Sequence, residues 1–472
     1  MKTIKNLLIL LLITTYVSCD EDFLDPIPTS SLSSNNYYTT PEQVETGVIN
    51  IYDAIQGVNS TSTNDNHSIQ YEFYLTEMRS DNTRTKSTEG EAAQFENYTV
   101  EANNGIVADY YASFYNVIFR SNVVLENLDA AGESAAKFEA EARFTRAYAY
   151  FNLVRLYGDV PLVETIITPE NKETAYTRVD ASNIYDLIVS DLQIAVAGLE
   201  DGSKFRASKA AAETLLAKVY LTLGRYGEAQ TLLESVMNPS RGFALEANFK
   251  DVFFNEGNNE IIFGVGYLGD SVDSQNFSAE WLNAVGRTSG VNYVTNDAKS
   301  ALDLLGGNRT MYSYRVDIAQ ATQHQVVKYI PDGDMTLGIT STSSDPTKAG
   351  NDWIVLRYAD VLLMHVEAIM AGAQNTTSTN ALASFQEVRN RAGLTATVSS
   401  ITKQELMDER RVELAFENHR LFDLVRMGEA VNVLGAFSAA NGYNFSTTDL
   451  LLPIPQREIN LSNGLLNQNP GY

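Results

Sequence analysis

Two polar stretches of the sequence carry the side chains best suited to hold a ligand. The first, residues 59–105, contains His67, Tyr71, Tyr74, Asp81, Asn82 and Arg84. The second, within residues 240–350, contains Trp281, Tyr293, Tyr312 and Tyr314. Flat aromatic rings cover the apolar C–H faces of sugars, and Asp, Asn and Arg pair with sugar hydroxyl groups. These two stretches are therefore the candidate ligand-binding segments of the chain.

Burial in the protein core is the alternative for each of these aromatic rings, because aromatic side chains bury readily. Trp281 is the first ring to test, since the chain has 2 Trp and this one lies in an irregular region. The other, Trp353, adjoins the apolar segment that starts at Leu356, so we expect it in the core.

The residue patterns do not indicate catalysis or a metal site. Glu409 and Glu413 are four residues apart, but nothing in the sequence gives either a raised pKa or a cleft, as a general acid and base require. GxSxG, HExxH, Walker A and GxGxxG motifs are absent. The histidines are scattered, at His67, His324, His365 and His419. We therefore expect no enzyme activity, no metal and no cofactor.

Charged residues of both signs alternate towards the C-terminus. They are Arg410, Arg411, Glu413, Glu417, Arg420, Asp423 and Arg426. This pattern predicts an ion-pair network that holds a helix in place. His365 shares a helical stripe with Val361 and Ala368, so we expect a packed, hydrogen-bonded histidine.

Composition excludes several classes of protein. The chain has 472 residues, 59 acidic against 34 basic side chains, and a formal net charge of -25. So large a negative charge repels a phosphate backbone and argues against nucleic-acid binding. A single cysteine excludes a disulfide framework. The hydrophobic content of 44% is that of a folded chain.

The N-terminus has the pattern of an export signal. Lys2 and Lys5 precede an apolar run, residues 7–13, that is too short to span a membrane. Ser18 then precedes Cys19. We expect residues 1–18 to be a signal peptide and Cys19 to carry a lipid that anchors the protein to a membrane. An ordinary signal peptide with an incidental cysteine is the alternative. Residues 19–40, acidic and then rich in Ser and Pro, predict a solvated tether.

Helical periodicity dominates the rest of the chain. Apolar stripes with helical spacing cover residues 112–128, 137–157, 182–199, 209–237, 357–371, 380–391 and 404–435. Residues 215–239 match the tetratricopeptide pattern of small and large side chains in a helix–turn–helix. Residues 240–350 are irregular, with one predicted strand at 261–267. The sequence thus predicts a mainly helical, all-α fold whose irregular segments carry the binding residues.

Several segments resemble the SusD/RagB family of outer-membrane nutrient-binding lipoproteins. They follow the family's order at residues 146–163 (RAYAYFNLVRLYGDVPLV), 356–368 (LRYADVLLMHVEA), 409–428 (ERRVELAFENHRLFDLVRMG) and 451–472, which ends in QNPGY. His365 departs from the small residue usual at its position in the family.

The resemblance implies one SusD-like domain over residues 41–472. It implies about four tetratricopeptide-like helix pairs, mainly in residues 112–237 and 357–391, and an irregular binding region at about 240–350. It also implies a lipoprotein on the cell surface, with residues 20–22 as an export signal and a SusC-like TonB-dependent transporter as partner. The implied role is to capture an oligosaccharide without catalysis and to deliver it to that transporter.

Other functions remain open at this stage. A peptide-binding member of the same transport family, a surface all-α glycoside hydrolase or lyase, and a tetratricopeptide scaffold that binds only protein are the alternatives. The negative charge of the chain repels anionic polysaccharides, so the expected ligand is a neutral glucan.

Overall fold

A computed structural model describes residues 37–57, 68–86, 90–281, 292–316, 322–331 and 333–472. Helices dominate this part of the chain, as predicted. They are α1 (Pro41–Gln56), α2 (Glu72–Leu75), α3 (Glu91–Asn97), α4 (Gly105–Glu126), α5 (Ala135–Tyr157), α6 (Ala181–Gly198), α7 (Lys209–Thr222), α8 (Tyr226–Val236), α9 (Asp251–Phe254), α10 (Phe277–Glu280), α11 (Asn296–Leu305), α12 (Tyr358–Met370), α13 (Thr379–Arg391), α14 (Lys403–Glu413), α15 (Arg420–Arg426), α16 (Ala430–Asn441) and α17 (Gln456–Leu461).

The strands are short. They are β1 (Thr83–Thr85), β2 (Val160–Pro161), β3 (Arg178–Val179), β4 (Ile261–Val265), β5 (Asn292–Val294), β6 (Tyr314–Val316), β7 (His324–Val326), β8 (Trp353–Arg357), β9 (Asn375–Thr376) and β10 (Ile401–Thr402). The mainly helical, all-α class with little β structure is therefore confirmed. Among the described residues, none of the helices is both long and apolar enough to cross a membrane.

Successive long helices pack on one another as helix pairs. Helix α5 packs between α4 and α6, and α7 packs between α6 and α8. The helix–turn–helix predicted for residues 215–239 is present: α7 ends at Thr222, Gly224 turns the chain at φ 70°, and α8 begins at Tyr226. Small buried side chains on α7, such as Ala211 and Ala217, let the neighbouring helices approach closely.

The irregular region at residues 240–350 supplies three strands of a small antiparallel sheet that joins distant parts of the sequence. Its strand order is β1-β5-β7-β6, so one strand from the first polar stretch joins three from the second and pairs directly with β5. Strand β4 pairs instead with β8 and covers most of the strand predicted at residues 261–267.

A buried ion-pair network ties the irregular region at residues 240–350 to β8 and to the end of α14. Arg357 at the end of β8 lies 2.7 Å from Glu260, 2.6 Å from Glu413 and 2.6 Å from Glu417. Lys328 reaches the same Glu417 at 2.6 Å. The predicted network is confirmed, and Arg410 pairs with Asp423 at 2.8 Å. This pair joins α14 to α15, however, where the sequence predicted one helix. The network lies in the interior, where each charge must be paired to remain ionised.

Two predictions about single core residues are also confirmed. His365 is buried, and its Nδ1 lies 2.9 Å from the Ser384 hydroxyl. Trp353 is buried on β8.

Candidate ligand-binding surface

Trp281 lies in the core. Its ring is 1% exposed and packs among Phe73, Phe277, Tyr329 and Trp353, with ring centroids 5.0 to 5.8 Å apart. The irregular region at residues 240–350 has few long helices to supply apolar faces, so large rings fill its interior. The rarity of Trp in the sequence did not distinguish this use from ligand binding. The candidate surface therefore excludes Trp281.

Tyr71 and Tyr74 stand beside Glu280 at the end of α10. The Tyr74 hydroxyl donates to Glu280 Oε2 at 3.4 Å, and the Tyr71 ring meets the Tyr74 ring edge-on at 6.0 Å. Burial and the nearby carboxylates raise the pKa of Tyr71 to about 12. Tyr74 is buried, whereas Tyr71 keeps part of its ring at the surface.

Asp81 and Asn82 are structural anchors. Asp81 accepts from Arg420 at 2.8 and 3.0 Å and pairs with Arg411 at 2.9 Å. Burial alone would raise the pKa of Asp81, but these two guanidinium groups outweigh it and lower the pKa to about 2. Arg411 also donates to Asn82 Oδ1 at 3.0 Å. Both predicted ligand contacts are thus occupied by partners that are distant in sequence.

Arg84 and Tyr293 are brought together on adjacent strands. The register of β1 and β5 pairs these two residues, and the Arg84 guanidinium lies 5.8 Å from the centre of the Tyr293 ring. The Arg84 side chain is 35% exposed and lies 3.2 Å from Glu96. The Tyr443 hydroxyl donates to the same carboxylate. An aromatic face, a guanidinium and a second phenol therefore share one surface.

The sheet extends this surface in a cross-strand row. The register that pairs Val294 with His324 sets Tyr293 opposite Gln325, and Gln325 pairs with Arg315. Because side chains alternate between faces along a strand, Arg84, Tyr293, Gln325 and Arg315 share one face. We call these four residues the sheet row. It spans about 14 Å at the usual strand spacing.

Tyr314 lies on the opposite face of the sheet. Its neighbour Arg315 belongs to the sheet row, so alternation turns Tyr314 away, towards α11. There its hydroxyl donates to Asp303 at 2.5 Å and Lys299 lies 5.6 Å from its ring. Tyr312 is partly buried against the core.

The sequence missed Arg315, Gln325 and Tyr443. Gln325 is buried and contributes by holding Arg315, so Arg315 and Tyr443 are the two that add to the surface. Only the strand register places Gln325 beside Tyr293 and Arg315 one strand further on, and Tyr443 lies in the loop after α16. The alternation of residues 314–316 was the available signal for Arg315. His67 and Cys19 lie outside the described residues, as do the signal peptide and most of the tether.

The sheet row is suited to hold a polyhydroxylated ligand. Arg84 and Arg315 stand at its two ends, each held by a carboxylate: Glu96 at 3.2 Å and Asp334 at 2.6 Å. Arg315 is positioned further by donating to Gln325 Oε1 at 2.8 Å. Fixed guanidinium groups offer donors in a set direction, and the ring between them offers an apolar face. The described part of the chain contains no group of three or more His, Cys, Asp or Glu side chains that could hold a metal ion.

Comparisons with known proteins agree on one family. The SusD family model matches residues 281–472, and a model described as starch-binding associating with outer membrane matches residues 22–221. SusD-like protein P2 of Formosa agariphila is 26% identical over 526 residues, covering 100% of both chains.

Solved structures show the same architecture. A laminarin binding SusD-like protein superposes with a TM-score of 0.76 at 26% identity, covering 92% of this chain and 100% of its own. Surface glycan-binding protein A from Bacteroides thetaiotaomicron, in complex with laminarihexaose, also gives 0.76 at 20% identity, covering 91% of this chain and 100% of its own. The two family models and the full-length relative show that the chain belongs to the SusD/RagB family.

Proposed function

We propose that this protein binds an oligosaccharide at the cell surface and passes it, unmodified, to a SusC-like TonB-dependent transporter. The observation that carries the proposal is the sheet row, in which Tyr293 lies between two carboxylate-anchored guanidinium groups. Sugar recognition needs such an apolar ring face next to fixed donors. The laminarin-binding relative and the structure with laminarihexaose support the same ligand chemistry.

The ligand that we propose for the sheet row is a neutral glucan. The chain has a formal charge of -25, which opposes approach of an anionic polysaccharide. Tyr71, which lies with Arg84 in the polar stretch 59–105, is a further candidate contact because part of its ring stays exposed.

Membrane attachment through Cys19 is part of the proposal. The apolar run before Ser18, the single cysteine of the chain and the acidic residues after it support this arrangement. A family description that associates such proteins with the outer membrane points the same way.

The first experiment is a calorimetric titration of the mature protein with laminarin oligosaccharides, other neutral glucans, and peptides. We expect binding to a glucan. Tyr293→Ala should weaken it about 10-fold, the loss of about 1.4 kcal/mol from one stacked ring. Tyr226→Ala, a partly buried tyrosine at the start of α8, is the matched control and should bind as the wild type does.

Incubation of the same glucan with the protein tests the absence of catalysis. We expect no new reducing ends. If reducing ends accumulate, a hydrolase replaces the transport role, and if only peptides bind, the peptide-binding alternative is correct.

A further inference from the structure

A second concave site lies away from the sheet row. The end of α1, the end of β4 and the segment before β8 enclose a groove of about 530 Å³. That volume is within the range of small-ligand sites. The lining of the groove includes Gln56, Phe205, Glu256, Gly266, Tyr267 and Asp352.

The groove has an aromatic ring and a carboxylate above a floor of bare backbone. A Cβ added at Gly266 would lie 3.4 Å from the Phe205 ring and 3.7 Å from Asp352 Oδ1. One at Gly264 would lie 3.6 Å from the same ring. The Gln56 amide donates to the Gly266 carbonyl at 2.8 Å and fixes the floor. Because both floor residues are glycines, the Phe205 ring packs directly on their backbone beside Asp352, and both side chains line the groove.

The charges in the groove are of one sign. Asp53, Glu256, Asp273 and Asp352 line it, whereas Lys and Arg do not occur among its described lining residues. Asp53 is paired with Arg120 at 2.6 Å. Burial and Glu256 raise the pKa of Asp352 to about 7 against the opposing hydrogen bond from the Tyr267 N–H. No cation among the described residues offsets the effect of burial and Glu256 on Asp352. A bound positive charge would therefore be favoured beside these two carboxylates.

The backbone around the groove does not offer a free edge to an extended peptide. Strand β4 pairs with β8 on one side, and on the other the Gly264 N–H donates to the Lys204 carbonyl at 2.9 Å. Peptide recognition by strand addition needs such an edge. A ring face beside a carboxylate instead suits a sugar that carries a positive charge.

We propose that this groove binds oligosaccharides made of amino sugars. Their C–H faces lie on Phe205, and their protonated amino groups meet Asp352 and Glu256. The inference rests on the proposed function, glycan binding, and adds a second site that takes a different charge class from the sheet row.

Calorimetry of the mature protein with a β-1,4-linked glucosamine tetramer tests this. We expect binding that weakens as salt is raised, and at least about 10-fold weaker binding of the N-acetylated tetramer, which has the same length and lacks the charge. Asp352→Asn and Phe205→Leu should each weaken binding of the glucosamine tetramer about 10-fold. Glu256→Gln, at an exposed position, gives a variant whose fold is not at risk and should weaken it as well.

Tyr293→Ala separates this inference from the proposed function. It should leave glucosamine-tetramer binding unchanged while it weakens glucan binding. Equal affinity for the two tetramers, or unchanged affinity in all three groove variants, would overturn the second site. Tighter binding of a tetralysine peptide that depends on the same residues would also overturn it, in favour of a protein ligand.

Discussion

At the scale of single residues, Asp81 shows how a polar side chain is committed to structure. Two guanidinium groups, from Arg411 and Arg420, pair with it at 2.9 and 2.8 Å. Removing the carboxylate leaves the buried Arg420 and the largely buried Arg411 without a carboxylate partner. We expect Asp81→Asn to lower the free energy of unfolding at neutral pH by about 3–5 kcal/mol, measured by urea denaturation.

The pKa of Asp81 gives that substitution a pH dependence. The folded-state pKa of about 2 lies below the ordinary value. The stabilisation is therefore complete above pH ~4 and is lost as the pH falls through the folded-state pKa. The stability difference between wild type and Asp81→Asn should shrink by about 1 kcal/mol between pH 6 and pH 3. A difference that stays constant over this range would show that Asp81 does not titrate in this way.

The sequence could indicate which residues are polar or aromatic but not their partners. Asp81 and Asn82 are side chains of the kind that bind sugar hydroxyl groups. In the structure they accept hydrogen bonds from arginines more than 300 residues away in the sequence. Arg84 and Tyr293 were predicted separately, and only the strand register brings them together. His365 was predicted correctly because the helical stripe around it is local.

At the scale of elements, the turn between α7 and α8 depends on one glycine. Gly224 has φ 70°, in the left-handed region that costs a residue with a Cβ about 1 kcal/mol or more. We expect Gly224→Ala to lower the urea midpoint. Gly227→Ala is the matched control, because Gly227 lies inside α8 with open space around its Cα. It should leave stability unchanged or raise it by up to about 1 kcal/mol. If both substitutions destabilise equally, the left-handed turn is not the cause.

Helices were more predictable than strands for a physical reason. An apolar stripe repeats within a few residues, so residues 209–237 and 380–391 indicated helices that the structure contains. The strands β1 and β5 are three residues each and more than 200 residues apart. Their pairing, and with it the sheet row, depends on contacts that local periodicity does not encode.

At the scale of the whole molecule, one covalent attachment is proposed to hold the protein at the membrane. Cys19→Ala should move the protein from the membrane fraction to the soluble fraction in cells, because the lipidated thiol is lost. Ser18→Ala keeps a small residue before the cysteine and should stay attached, which makes it the control. Retention of the Cys19→Ala protein in the membrane fraction would contradict the anchor.

The two proposed sites give the whole molecule distinct ligand preferences. The sheet row combines Tyr293 with guanidinium groups, whereas the groove combines Phe205 with carboxylates. Because these sites share no described residue, a variant in one should leave the other unchanged.

The most direct test of the central claim is a calorimetric titration of a neutral glucan into wild-type, Tyr293→Ala and Tyr226→Ala protein, followed by an assay for reducing ends. The account predicts binding by the wild type and by Tyr226→Ala, about 10-fold weaker binding by Tyr293→Ala, and no product. Unchanged affinity of Tyr293→Ala, or the release of shorter sugars, would contradict it.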